Sequence, residues 1–443
     1  MKTVVVGGGW AGLAAAVELA RHGVPVTVLE AARQLGGRAR AVRFGPYHVD
    51  NGQHILLGAF HSVLALLDII GVSEPTVFRR HPLLLTLIGQ RHRRLEIKAD
   101  HLPSPLHLAL GLLRTRGLSL HSRIAALRLL RAVRRRDFAI DTDISVAQFL
   151  ESQRQPPEAM WSLWRPLCLA ALNAPPASAS TRLFLRVLRD GFFTRRRNSD
   201  MLLPILDLSA CLPQPAMDFI ETRSGGVRLG ARVQGLHIDN GSVTGVELKN
   251  EVIAADHVIL ALPPDASAAL LRGHKPLAPL AQSIGQLKSH PICTVYLRYP
   301  ESIGLDRDFV GLLETTAHWL FDRGRLTGDH GLLAAVVCGP GPHMRLTNTE
   351  LIDQIVRELS ELFPAWPRPL DTKLVRERQA TLAPLPDVDR LRPAHATPVK
   401  GLWLAGDYTA AAYPSNLEGA VRSGLVCARW VLRHTAGDLQ PHL

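Results

Sequence analysis

The chain has 443 residues, 47% of them hydrophobic, and a formal net charge of +12. That length accommodates two or three domains and a large core. Only 5% of residues are aromatic, and no basic stretch is interleaved with them, which argues against single-stranded nucleic-acid binding. Nearly all the positive charge is arginine. A basic balance suits nucleic acid, an anionic membrane surface or an anionic substrate. No apolar run reaches about 18 residues without a charge, so no transmembrane helix is expected. Met1 leads straight into a strand, leaving no room for a signal peptide. Cys168, Cys211, Cys293, Cys338 and Cys427 are scattered and form no CxxC. They read as buried free thiols of a reducing, cytoplasmic compartment, not as a disulfide frame or a metal site.

In chain order, Thr3 to Val6 is a β-branched run suited to a buried parallel strand. Gly7-x-Gly9-x-x-Gly12 follows, then Ala and Leu at helical spacing from Ala11 to His22, with Gly23 as a stop. Pro25 to Leu29 is a second strand, ending at Glu30. A glycine triplet alone is weak evidence, but here strand, helix, strand and acid all fall where a dinucleotide motif needs them. Gly7 permits the tight turn, Gly9 lets a pyrophosphate approach the backbone, and Gly12 lets helix and strand pack closely. The helix start at Trp10 and Ala11 presents N–H groups to the phosphates. Glu30 is placed to accept hydrogen bonds from an adenosine ribose.

Gly36-Gly37-Arg38 extends this motif beyond the generic fingerprint and resembles the signature of FAD-binding proteins of the amine oxidase and phytoene desaturase superfamily. The resemblance implies that Gly37 lets the chain pass over the cofactor and that Arg38 lies near its phosphates. Tyr47 to Val49 reads as a strand before a turn at Asp50-Asn51-Gly52, followed by Gln53, His54 and a helix over 61–70. Asp50-x-Gly52-x-His54 resembles the segment that runs beside the flavin in phytoene desaturase relatives. The fuller string DNGQHILLGAF resembles a narrower family, the hydroxysqualene dehydroxylases of hopanoid synthesis.

Residues 78–98 read as a hairpin opening a second domain. Residues 102–137 read as helical and rich in Leu and Arg, with Arg123, Arg128, Arg131, Arg134, Arg135 and Arg136. A solvated face and an interfacial helix in peripheral contact with an anionic membrane both fit that pattern. Ser145-x-x-Gln148 is a capping box. WRPLCLAALN and LLPILDLS resemble the same narrower family and suit the walls of an apolar cavity as well as plain core. Strands are expected over 227–239 and 242–249, joined at Asn240-Gly241, and over 257–262. The resemblance places an adenine contact on the Val233 backbone.

Further strands over 291–299, 309–314, 318–323, 332–338 and 371–381 would build a substrate-domain sheet with the earlier hairpin, and Thr347-x-x-Glu350 caps a helix to about 362. Amine-oxidising relatives often carry a lysine beside flavin N5; here the stretch reads PICTVYLRY with Lys288 upstream, which counts against an amine oxidase. At the tail, a strand ends in Ala405-Gly406-Asp407, and Asn416 and Leu417 open a helix to 432. The resemblance implies that Asp407, with Gly406, bonds the ribityl chain or pyrophosphate of FAD, and that the positive end of the helix faces the flavin ring.

The expected fold is α/β: a Rossmann-like FAD-binding domain of glutathione-reductase type with an interleaved α+β substrate domain of mixed sheet and helices. The cofactor domain is expected over 1–73, 215–280 and 385–443, and the substrate domain over 74–214 and 281–384. The resemblance implies reductive removal of the allylic hydroxyl of hydroxysqualene, an apolar triterpenoid, with hydride from reduced flavin. No second nucleotide motif suggests a nicotinamide site, so an external electron donor is expected. His54, Asp50 and Asp322 are the candidates for the proton donor. The alternatives are a carotenoid-type desaturase or isomerase, or an amine-oxidase-like flavoprotein on the same fold.

Overall fold

The computed structural model describes residues 2–90, 94–99, 101–223, 225–410 and 413–435. Its centre is a five-stranded parallel sheet in the order 226–229, 26–30, 3–6, 257–260, 402–404. Thr3–Val6 is buried throughout, which is why it reads as continuous β-branched sequence. The strand order turns at this first strand, so a crevice lies beyond its C-terminal end. Helix Trp10–Arg21 starts at that end and packs against the C-terminal helix Leu417–Thr435. Their contact is close: a Cβ on Gly424 would stand 2.0 Å from the Ala11 carbonyl oxygen.

A second, seven-stranded sheet runs 371–382, 289–298, 332–338, 319–322, 309–312, 84–88, 94–98. It is antiparallel except where 309–312 meets 84–88. Helix Asn348–Leu362, with the capping box expected at Thr347 and Glu350, covers one face. A separate small antiparallel sheet is formed by 56–57, 201–204 and 78–81.

Two expectations change. The strand read as 227–239 is two strands: Gly226–Leu229 joins the parallel sheet, and Gly235–Asp239 pairs with Ser242–Glu247 in a separate three-stranded sheet. The chain turns at Gly230, whose φ of +70° suits a residue without Cβ. The helical stretch 102–137 is two helices, Leu106–Leu113 and Leu120–Arg135, broken at Gly117 (φ +81°) and restarted where the Ser119 side chain accepts the Ser122 N–H. Of the hairpin read over 78–98, residues 91–93 lie outside the described residues. All five cysteines are buried and unpaired. Among the described residues, no helix is long and apolar enough to cross a membrane.

Candidate active site

One cavity of about 1000 Å³ lies between the parallel sheet and the seven-stranded sheet. Its first wall comes from the glycine motif. Gly7 takes φ +110°, and a Cβ there would meet the Ala261 oxygen at 2.5 Å; a Cβ on Gly12 would meet the Gly7 oxygen at 2.0 Å. Above Gly9, by contrast, the nearest atom is the Gly37 Cα at 3.9 Å. That open ground lies at the N-cap of helix Trp10–Arg21, whose first N–H groups have no helical partner. Glu30 accepts the Gly8 N–H through Oε2 and the Ala32 N–H through Oε1, each at 2.7 Å, and lines the same cavity. The Trp10 indole is held by the Ala39 carbonyl at 3.4 Å.

The two ends of the chain meet here. The Arg38 guanidinium pairs with the Asp407 carboxylate across 369 positions of sequence, and donates to the Ala380 carbonyl at 3.2 Å. Burial alone would lower the Arg38 pKa, but the Asp407 and Glu377 carboxylates outweigh it and hold the guanidinium above its ordinary value. Asp407 also accepts the Ser415 hydroxyl, and its carbonyl takes a 3.1 Å bond from buried Arg392. Asn416 caps the C-terminal helix, accepting the Gly419 N–H at 2.9 Å. Buried Glu418 reaches across to cap helix His61–Ile69 at Ser62 and Val63, which fixes the segment leading back to the 50–54 turn.

Gly7, Gly9, Trp10, Ala11, Glu30, Gly37, Arg38, Gln53, His54, Gly406, Asp407, Asn416 and Leu417 all line this cavity. Gly12 stands behind it, between strand and helix. Val233 packs into the core, while its neighbour Arg232 lines the cavity. Asp50 is fully buried behind the lining, and burial, eased by nearby Arg323, pushes its carboxyl up to about 7. Asp322 is away from the cavity: its oxygens accept the Leu305 N–H at 2.7 Å and the Arg325 N–H at 3.1 Å, capping a short helix. Of the three proton-donor candidates, only His54 reaches the cavity wall. Burial lowers its pKa to about 4, against the opposing pull of the Gly52 carbonyl, so its ring is neutral at physiological pH.

Sequence reasoning did not single out Glu377, Gln379 and Thr381 on strand Asp371–Leu382, or Asn173, which all line the cavity. Asn173 adopts φ +54° at the end of helix Arg165–Leu172 and bonds Gly339 N, the Pro291 carbonyl and Thr381 Oγ1. A helix-ending Asn is the one local signal that could have marked it. Much of the remaining wall is apolar, with Leu83, Leu85, Leu169, Phe192, Phe321 and Val336 among its residues.

The residues fit a bound dinucleotide. The ground over Gly9 is open, and Gln53 lines the cavity with both polar atoms of its amide buried and without a protein partner. Buried amides left unpaired in this way await a ligand or water. The comparisons with known proteins agree. The model of the family "Flavin containing amine oxidoreductase" matches residues 10–432, and the chain belongs to that family of FAD-dependent oxidoreductases. Within it, the chain belongs with the hydroxysqualene dehydroxylases. It is 30% identical to the one from Rhodopseudomonas palustris and 28% identical to the one from Sinorhizobium fredii, each over 97% of this chain and 98% of the relative. It is 25% identical to 15-cis-phytoene desaturase of Arabidopsis thaliana over 98% of this chain and 80% of that one. Among solved structures, an oxidoreductase from Methanosarcina mazei superposes with a TM-score of 0.78 at 17% identity, covering 97% of this chain and 100% of that one. Putrescine oxidase bound to putrescine gives 0.64 at 19%, covering 98% and 99%. The α/β fold expected from the sequence is the fold of these flavoproteins.

Proposed function

We propose that the protein reduces hydroxysqualene to squalene, with water as the second product. The observation that carries this reading is one continuous cavity that joins the glycine-rich nucleotide wall to a wall of Leu, Phe and Val side chains. Support also comes from the two relatives named hydroxysqualene dehydroxylase. In this reading residues 1–73, 215–280 and 385–443 form the cofactor domain, and 74–214 with 281–384 the substrate domain.

FAD, once reduced by an external donor, supplies hydride chemistry to this site. Glu30 would hold its ribose, the Gly9 turn and the Arg38–Asp407 pair its phosphates, and the amides at Asn416 and Leu417 its ring. Gln53 would satisfy its amide on the flavin or on the substrate hydroxyl. The Leu and Phe walls exclude water and hold the apolar chain, so the reacting carbon meets no competing nucleophile. The neutral His54 ring offers an N–H to the hydroxyl that must leave.

Exposed Leu120, Ile124, Arg128 and Arg131, at helical spacing along helix Leu120–Arg135, with exposed Leu106, Leu113 and Trp161 on other helices of the same domain, would suit peripheral contact with anionic lipid. An apolar substrate dissolved in a bilayer would suit such a face.

Anaerobic incubation of photoreduced enzyme with hydroxysqualene tests the reading. Squalene formed in step with flavin reoxidation is the expected result. No squalene, with desaturation of a carotene precursor by the oxidised enzyme, would replace it with the desaturase reading, which the 25% identity to phytoene desaturase favours as second. An amine-oxidising site has less in its favour, since Lys288 is exposed and no lysine lines the cavity among the described residues.

A further inference from the structure

Behind the turn that carries Gln53 and His54 lies a second group of buried polar atoms that line no part of the cavity. Asp50 Oδ1 accepts the Leu208 N–H at 2.7 Å, while its Oδ2 has no partner. Arg323 is 1% exposed and leaves Nε and Nη1 without partners. Thr294, on strand Ser289–Arg298, is fully buried with a bare Oγ1. Two residues on, the Tyr296 hydroxyl donates to the Asp50 carbonyl at 2.6 Å and pins this strand to the turn.

A guanidinium and a carboxyl are not left bare in a protein interior. Where such groups gather without touching, ordered water completes their hydrogen bonds. Gly52 supplies the gap between this group and the cavity. It lines the cavity, and beyond its own chain neighbours the atoms within 4 Å of the place where its side chain would begin are His54 Cε1 at 3.8 Å and Thr294 Oγ1 at 4.0 Å. His54 Nδ1 is likewise buried without a partner.

We propose that a hydrated channel runs from Asp50 and Arg323 past Thr294, through the gap at Gly52, to His54, and delivers the proton that the departing hydroxyl needs. The proton's destination rests on the dehydroxylase reading above. A proton leaves the Asp50 carboxyl and passes, by way of water held on the Thr294 hydroxyl, to His54 Nδ1. The ring gives its other N–H proton to the substrate oxygen. The carbon–oxygen bond breaks with its electron pair on oxygen, which leaves as water, and the carbon takes the hydride of the reduced cofactor. Arg323 steadies the carboxylate left behind until solvent returns the proton. The groups facing Asp50 set its loading: burial raises its pKa most, the Asp207 carboxylate adds to that, and Arg323 with the Leu208 N–H opposes. The nearby Tyr296 hydroxyl and Cys211 thiol are pushed up by burial and stay protonated. The channel is therefore proton-loaded below about pH 7 and emptied above it.

Two measurements test this. In crystals of the FAD-loaded enzyme, a water should sit within hydrogen-bond reach of Thr294 Oγ1 and His54 Nδ1, and be missing in Thr294→Val. A dry gap overturns the channel whatever the substrate is. In single turnovers of prereduced holoenzyme with hydroxysqualene, the rate should fall as pH rises through about 7. Thr294→Val and Gly52→Ala should each slow that step on the order of 10²-fold with flavin content unchanged. The alanine Cβ makes only ordinary contacts, so its fold is not at stake. Variants as fast as the parent at every pH overturn the relay. A parent enzyme that turns over no hydroxysqualene refutes the dehydroxylase reading instead, and the water at Gly52 still decides the channel.

Discussion

The two walls of the cavity are built on different principles. The nucleotide wall is backbone against backbone: side chains are absent at Gly7, Gly12 and Gly424 because carbonyl oxygens stand where a Cβ would go. Its polar groups, Glu30, Arg38 and Asp407, are already bonded to protein. The substrate wall is side chain against empty space, apolar except for a few groups, and the Gln53 amide and the His54 Nδ1 have no protein partner. The first wall is preorganised for one fixed shape, and the second is shaped only in volume and polarity. Substitutions should therefore behave differently on the two sides.

The largest expected effect is Gly424→Ala. The Ala11 oxygen, 2.0 Å from the new Cβ, belongs to a helix buried along almost its whole length and cannot retreat. We expect a destabilisation above about 4 kcal/mol, seen as lost soluble yield and lost flavin absorbance. A soluble variant with full flavin content would break the view that close backbone approach defines this wall. Asp407→Ala comes next. It strips Arg38 of its partner and Ser415 of its acceptor, and should weaken flavin affinity by about 10–100-fold, the equivalent of about 1.5–3 kcal/mol for a hydrogen bond to a charged group. Unchanged flavin occupancy on dilution would remove Asp407 from the site.

Across the cavity, Val336 belongs to the apolar wall, and Val336→Phe adds bulk there. Flavin content should stay at the parent level, while KM for the triterpene rises about 10-fold, within the 1–3 kcal/mol that a pocket discriminates per small group. Loss of flavin in this variant would mean that the walls are coupled and that the contrast is too sharp.

The same difference decides what could be read from the sequence. The nucleotide wall was legible because each of its residues does a local backbone task at a fixed spacing: turn, close approach, cap. What joined the two ends was not legible. Nothing at Arg38 says that its partner is 369 positions away. The strand break at Gly230 was hidden because apolar alternation runs on through it, at Val227, Leu229, Ala231 and Val233. Asp322 was expected among the candidate proton donors, yet it caps the helix whose first residue, Arg323, is the buried charge. Burial of an arginine leaves no mark on the sequence, since the same letter serves an exposed helix face. The apolar wall was expected only as a choice between cavity and core, because Leu and Phe line both alike.

The smallest expected effect lies outside both walls and asks how an apolar substrate would reach the second. Trp161 is 60% exposed, with the Arg165 guanidinium 5.0 Å over its ring, and Leu120 at 63% and Leu106 at 58% are exposed as well. A large apolar side chain held beside a cation matches the boundary between headgroups and acyl chains, where ring and charge are each satisfied. Arg128 and Arg131 on helix Leu120–Arg135 would add about 1 kcal/mol each at an anionic surface, and that contribution fades with salt. Trp161→Ala should therefore lower partition onto phosphatidylserine-containing vesicles several-fold, on the order of 1 kcal/mol, at all ionic strengths. Arg128→Gln with Arg131→Gln should lower it only at low salt. The pattern would be inverted if these helices were an ordinary solvated face: neither variant would then differ from the parent, and parent protein would bind neutral and anionic vesicles equally poorly.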